Sequence, residues 1–230
     1  MNNIRLLMGA FAVVALTVQA HDAQATRSTV SVVLEWNQLL NDTLPAPGGV
    51  GTPRFYAMTH IAMFDAINAI EREFEPYRIR LRWGGGAPEA AAAQAAHDVL
   101  VAINPNPAAV AAYDATLARQ IGSHPSGFVR RGAELGARVA DEILAWRQND
   151  GWVVPSFPPY AEPLLPGRWQ PTPPSNAAAT FTHVRNAAPM ALLSPTQYLP
   201  PPPPSLTSER YATDLNEIKA LGRMPSYCSP

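Results

Sequence analysis

The chain has 230 residues, 47% of them hydrophobic, which is enough to bury a core and excludes a chain disordered by composition. Its 17 basic and 18 acidic side chains leave a formal net charge of −1, so no basic field exists to hold nucleic acid. Proline, at 25 residues, is the compositional outlier, and its placement divides the chain.

The N-terminus reads as an export signal over residues 1–25. "MNNIR" carries one positive charge at Arg5, and "LLMGAFAVVAL", Leu6 to Leu16, is an apolar core too short for a stable membrane anchor. "VQA" and "AQA" then place small residues for cleavage after Ala20 or Ala25. A buried N-terminal helix is the alternative. The order of charge, core and cleavage site predicts a periplasmic or secreted protein. No later stretch is long and apolar enough to span a membrane, so none is expected after cleavage. Cys228 is the single cysteine, which leaves stability to packing and not to an internal disulfide.

Five helices are predicted next, all-α in class. "RSTVSVVLEWNQLLNDTL" can be capped by Ser28 or Thr29, with Val33, Trp36 and Leu40 on one face. "PAPGGVGTP" breaks it. "TPRFYAMTHIAMFDAINAIEREF" restarts with Thr52 as N-cap and Pro53 in the first turn. Its apolar residues cover most of the helix circumference, which predicts the central, buried helix of a bundle. "GGGAPEAAAAQAAHDVLVAINP" gives a glycine hinge, an alanine-rich helix and a stop at Asn104-Pro105. A fourth helix places Val110, Leu117 and Ile121 on one face and Gly122 at its end. The longest follows, striped by Phe128, Leu135, Val139, Ile143 and Trp146, and ended by Gly151. Gly132 and Gly136 in it let a neighbouring helix approach closely.

From Trp152 to Thr207 lie 15 prolines, including the run Pro200 to Pro204, and no regular helix or central strand survives that density. Six aromatics from Trp152 to Tyr198 are spread through it, more than a mobile linker carries. The reading is an ordered, extended wrap over a helical body, anchored by those aromatics. A last helix, "SERYATDLNEIKALG", is capped by Ser208, striped by Tyr211, Leu215 and Ile218, and closed by Gly222. The domains read as 1–25 signal, 26–151 helical bundle, 152–207 proline-rich extended segment, 208–222 helix and 223–230 tail.

"HIAMFDAINAIE", residues 60 to 71, is where chemistry is worth weighing. His60 and Asp65 are five apart and diverge by about 140° at helical pitch, a poor spacing for metal ligands. His60, Asn68 and Glu71 share a sector with Asp65 beside it, which reads as a polar seam between helices. His97-Asp98 reads as a partly exposed pair. His21, His124 and His183 stand apart, "HPSGF" around Ser126 and Gly127 reads as a turn feeding a helix cap, and Lys219 is the only lysine. No nucleophile elbow, Walker or dinucleotide fingerprint occurs. No catalytic, cofactor-binding or metal-ligating residue is assigned.

An ordered set of segments nevertheless carries a resemblance. "YAMTHIAMFDAINAIE", "AAAAQAAHDVL", "WRQNDGW", "PGRWQPTPPS" and "PMALLSPTQYLPPPPPSLTSERYATDLNEIKALG" together resemble the N-terminal half of bacterial vanadium-dependent haloperoxidases, in the type-2 phosphatidic acid phosphatase superfamily. The likeness runs from about Val33 to Gly222. It implies helix bundles and, in full-length relatives, an oxyanion cage. That cage is a Lys and Arg ahead of a Pro, a Ser-Gly-His segment, an Arg and a final His. It holds vanadate for halide oxidation by peroxide, or supports phosphate-ester hydrolysis. The cage motifs are not transferable here. Arg223 and Pro225 follow Lys219 too closely, and Ser126-Gly127 is followed by Phe128. The resemblance implies a fragment whose catalytic half lies beyond Pro230, with "RMPSYCSP" in place of the family's join. Vanadate is expected only for a full-length relative, and a catalytic bundle or a homo-oligomer partner is expected to cover apolar surface. The alternative is an exported, non-enzymatic helical module that binds a partner through its proline-rich segment.

Overall fold

Trp36 and Leu40, wholly buried, fix the inner face of the first helix, α1, residues 29–43. In the computed structural model, which describes residues 29–44 and 49–222, Val32 completes that face one turn earlier, and Val33 is only partly buried. The export segment 1–25, His21, Arg223, Pro225 and Cys228 lie outside the described residues. α2 spans Thr52–Glu71, α3 Pro88–Ile103, α4 Pro107–Ile121, α5 Gly127–Arg147 and α6 Glu209–Leu221. A 3-10 turn covers Val184–Asn186. The fold is all-α, with no strand among the described residues.

The chain divides at Asn149/Asp150 into two units. In the first, α2, α4 and α5 all pack against α3. The central helix is therefore α3, and not α2 as its hydrophobicity suggests. The reason is size. Ala90 to Ala93, Ala95 and Ala96 are all buried, and their small side chains give α3 a narrow girth that neighbours can approach from several sides. α2, with bulkier residues, leaves Phe64 37% exposed, against Phe74 at 6.2 Å. The core gathers Trp36, Leu40, Met63, Ala92, Ala96, Leu100 and Tyr113.

α5 meets α3 through Gly132 and Gly136. A Cβ on Gly132 would strike the carbonyl of Ala87. One on Gly136 would strike the carbonyl of Ala91 and stand 3.0 Å from the Ala95 nitrogen. The predicted close approach is thus realised, with α3 as the partner. Leu135, Val139 and Ile143 of the stripe are wholly buried, whereas Phe128 is half exposed. α5 ends at Arg147, and Gly151 takes its positive φ four residues later.

One helix start differs from expectation. Gly51, not Thr52, is the N-cap of α2, with the first turn rigidified by Pro53. Asn106 caps α4, its side-chain oxygen accepting from the Ala108 and Ala109 amides. α4 buries Ala109 and Tyr113, not the Val110 and Ile121 edge. The Tyr113 hydroxyl explains the turn of the helix, since it meets Thr43 Oγ1 at 2.7 Å and accepts from Asn104 Nδ2 at 3.0 Å.

The second unit, from Asp150, contains the proline-rich stretch and α6. Its aromatics pair with one another: Phe157 with Phe181 at 5.0 Å, Phe157 stacked on His183 at 5.4 Å, and Tyr160 with Trp169 at 5.1 Å. His183 Nε2 bonds the Trp152 carbonyl at 3.0 Å and the Thr182 hydroxyl donates to Pro158 at 2.7 Å. Ser208 caps α6 by accepting from the Tyr211 amide, as its sequence predicts.

Candidate functional site

The polar residues of α2 do not converge. His60, half-buried, turns toward α1, where its Nε2 lies 3.0 Å from Asn37 Oδ1, and its ring stacks on Tyr56 one turn earlier. Burial holds its pKa below the ordinary histidine value.

Asp65 turns the other way. Its side chain is buried, and its two oxygens accept from three successive backbone amides: Tyr77 at 2.7 Å, Arg78 at 2.9 Å and Ile79 at 2.8 Å. Asn68 adds a reciprocal pair, donating to the Phe74 carbonyl at 2.7 Å and accepting from the Phe74 amide at 2.9 Å. These two side chains serve as acceptors and donors for a segment that has no ladder of its own.

That segment, residues 72–87, is a strap between α2 and α5. The Arg78 guanidinium lies over the Trp146 ring at 4.8 Å. Trp83 Nε1 donates to the Arg131 carbonyl at 3.1 Å, and the Ala87 amide to Phe128 at 3.1 Å. The strap therefore follows α5 from its last turn back to its first. Glu71 lies where the strap leaves α2, its carboxyl pushed up by burial and then by the charges of Glu73 and Glu89.

His97 sits between two carboxylates, with Nδ1 2.7 Å from Asp98 Oδ1 and Nε2 2.8 Å from Asp114 Oδ1 on α4. The partly exposed His97-Asp98 pair its sequence suggests is present, and Asp114 joins it from the next helix. His124 is exposed beside Ser123. Ser126 accepts from the Val129 amide at 3.3 Å as the α5 cap. Lys219 stands in the last turn of α6, where a cation suits the helix dipole. Among the described residues, no group of three or more His, Cys, Asp or Glu side chains is arranged to hold a metal ion.

One concavity is lined by the segments that carry the resemblance most specifically. It is a groove of about 580 Å³ beside α6, walled by Tyr211, Leu215 and Ile218 on one side and by Pro166, Pro203 and Leu206 on the other. Gly167 turns the chain beneath it with φ +82°, and a Cβ there would press Leu206 at 3.2 Å. The groove is mostly apolar, and Asp214 is its one charged lining residue. Its lining holds no acid–base or nucleophilic pair. The α6 stripe was legible in the sequence. The opposite wall was not, because it depends on how an irregular stretch folds back, and only the Pro166-Gly167 turn signal hints at it.

The chain matches no family model, no curated protein and no solved structure.

Proposed function

We propose that this chain is the helical, N-terminal scaffold of an exported vanadium-dependent haloperoxidase-like protein of the type-2 phosphatidic acid phosphatase superfamily. Its role is to present α6 to a catalytic helical bundle that carries the oxyanion chemistry. The observation that carries this reading is the α6 groove: Ile218 and Leu221 are 66% and 77% exposed, and Tyr211 and Leu215 only half-buried. A helix of this length is marginal without a surface to pack on. The all-α fold and the ordered segments from about Val33 to Gly222 support it further.

The residues present do not fit a vanadate cage. Ser126 is spent as a helix cap, Phe128 stands where a histidine is needed, and Lys219 lies in the other unit. The purified chain supplied with vanadate, bromide and peroxide is therefore expected not to brominate a phenolic reporter dye. Turnover with stoichiometric vanadate would overturn the proposal. Reading the surrounding locus in all three frames is the companion test, and it is expected to find the Lys and Arg-Pro, Ser-Gly-His and late Arg and His segments.

The second reading, an exported module that binds a partner through its prolines, is favoured by one observation: Pro200 to Pro203 are exposed beside a Tyr198 that is 76% exposed. It requires a monodisperse, cooperatively folded chain and a locus without the cage segments.

A further inference from the structure

We propose that His97 is a pH-operated clasp that holds α4 against α3. A neutral imidazole has one N–H and can donate to one carboxylate, while its other nitrogen offers only a lone pair. His97 has a carboxylate oxygen at hydrogen-bond distance from each nitrogen, Asp98 on its own helix and Asp114 on the next. Both bonds are satisfied together only by the imidazolium.

The surroundings are polar on two sides and aromatic on the third. From α3, Gln94 Nε2 also donates to Asp98 Oδ1 at 2.8 Å. From α4 comes Asp114, and the Arg119–Glu35 pair lies further along that helix. From α1, the Trp36 ring meets His97 edge-on, with centroids 6.3 Å apart. Burial opposes the charge on His97, but the hydrogen bonds to Asp98 and Asp114 and then their charges outweigh it and raise its pKa above the ordinary 6.5.

When the proton leaves, one bond must open. The Asp98 side chain is 28% exposed and that of Asp114 62%. Water can replace the donor at Asp114 far more readily than at Asp98, so the remaining N–H stays on Nδ1 and the bond between helices opens. α4 is the helix least able to ignore this, since its buried residues are Ala109 and Tyr113 alone.

The sign follows from the raised value. The clasp's stabilisation is complete below about pH 6.5, the unfolded histidine value, and is lost as pH rises through the higher folded one. His60, with its pKa lowered, acts in the opposite sense, so a His60→Gln background isolates the clasp.

Two measurements on the full chain test it. NMR titration of the ring resonances is expected to place His97 above the usual histidine range. Hydrogen exchange, corrected for intrinsic rates, is expected to show α4 protection falling about two- to fivefold through that titration, the scale of an exposed ion pair. In Asp114→Asn, which alters an exposed side chain, both the raised titration and the fall in α4 protection should shrink. In His97→Gln the protection should stay at its high-pH level at every pH. Equal α4 protection on both sides of the His97 titration would overturn the clasp, as would an unchanged fall in Asp114→Asn.

Discussion

Asp65 and His60 sit on one helix, yet they carry different burdens. Asp65 satisfies three backbone amides in a buried place, and removing it orphans all three. Asp65→Ala is expected to cost about 3 kcal/mol, because bonds to a carboxylate are strong and three partly buried donors are left unpaired. Asp65→Asn should cost less than Asp65→Ala, since its oxygen can keep the Arg78 and Ile79 bonds while its NH₂ faces only the Tyr77 N–H. His60→Ala, which loses one bond to a half-buried ring, should cost about 1 kcal/mol. Urea denaturation of the three variants checks the order, and equal losses would refute the strap as the reason. Trp83 and Trp146 lie along the strap, so the Asp65 variants should also shift tryptophan emission. The divergence of His60 from Asp65 was legible as helical arithmetic, and the structure sends them to α1 and to the strap. The partners were not legible. Three backbone amides have no side-chain signature, and which loop brings them is a tertiary fact.

At the scale of elements, caps and close-approach glycines could be read, while the choice of buried face could not always be. Ser126 and Ser208 cap α5 and α6 as read, because an N-cap depends on a few adjacent residues. The α4 face was not legible because its largest residue is Tyr113, whose hydroxyl finds its partners in Thr43 and Asn104 on other elements. The hub was not legible for a related reason: alanine gives little hydrophobic signal, and its value in α3 is small size. Gly136→Ala tests that directly. The added methyl meets the Ala91 carbonyl and the Ala95 amide, both rigid helix backbone. The expected loss is about 3 kcal/mol, at the upper end for overpacking, although alanine is the better helix former. Gly84, which has open space around it, is the matched control and should tolerate alanine with little change. Similar thermal shifts for the two would mean that α3 and α5 have slack between them.

Over the whole molecule, apolar burial is unevenly shared. Every fully buried apolar side chain among the described residues lies between Val32 and Ile143, in the first unit. From Asp150 onward the buried ones among the described residues are Asp150 and His183, and Leu193, Tyr198, Leu199, Ile218 and Leu221 are each more than 60% exposed. Hydrophobic burial is the main favourable term against chain entropy, and local aromatic pairs and capped turns do not replace it. The second unit should therefore open with little free energy, and the first only with global unfolding. Native-state hydrogen exchange on the purified chain is expected to show α3 and α5 amides slow and α6 amides close to their intrinsic rates. Limited proteolysis should cut within residues 150–222 before any site in residues 52–147. A partner bundle that fills the α6 groove would add apolar burial where it is lacking, and α6 protection should rise on its addition, together with that of Leu206 and its neighbours. α6 amides as slow as those of α3 in the isolated chain would show that the groove needs no occupant, and the scaffold role would lose the observation it rests on.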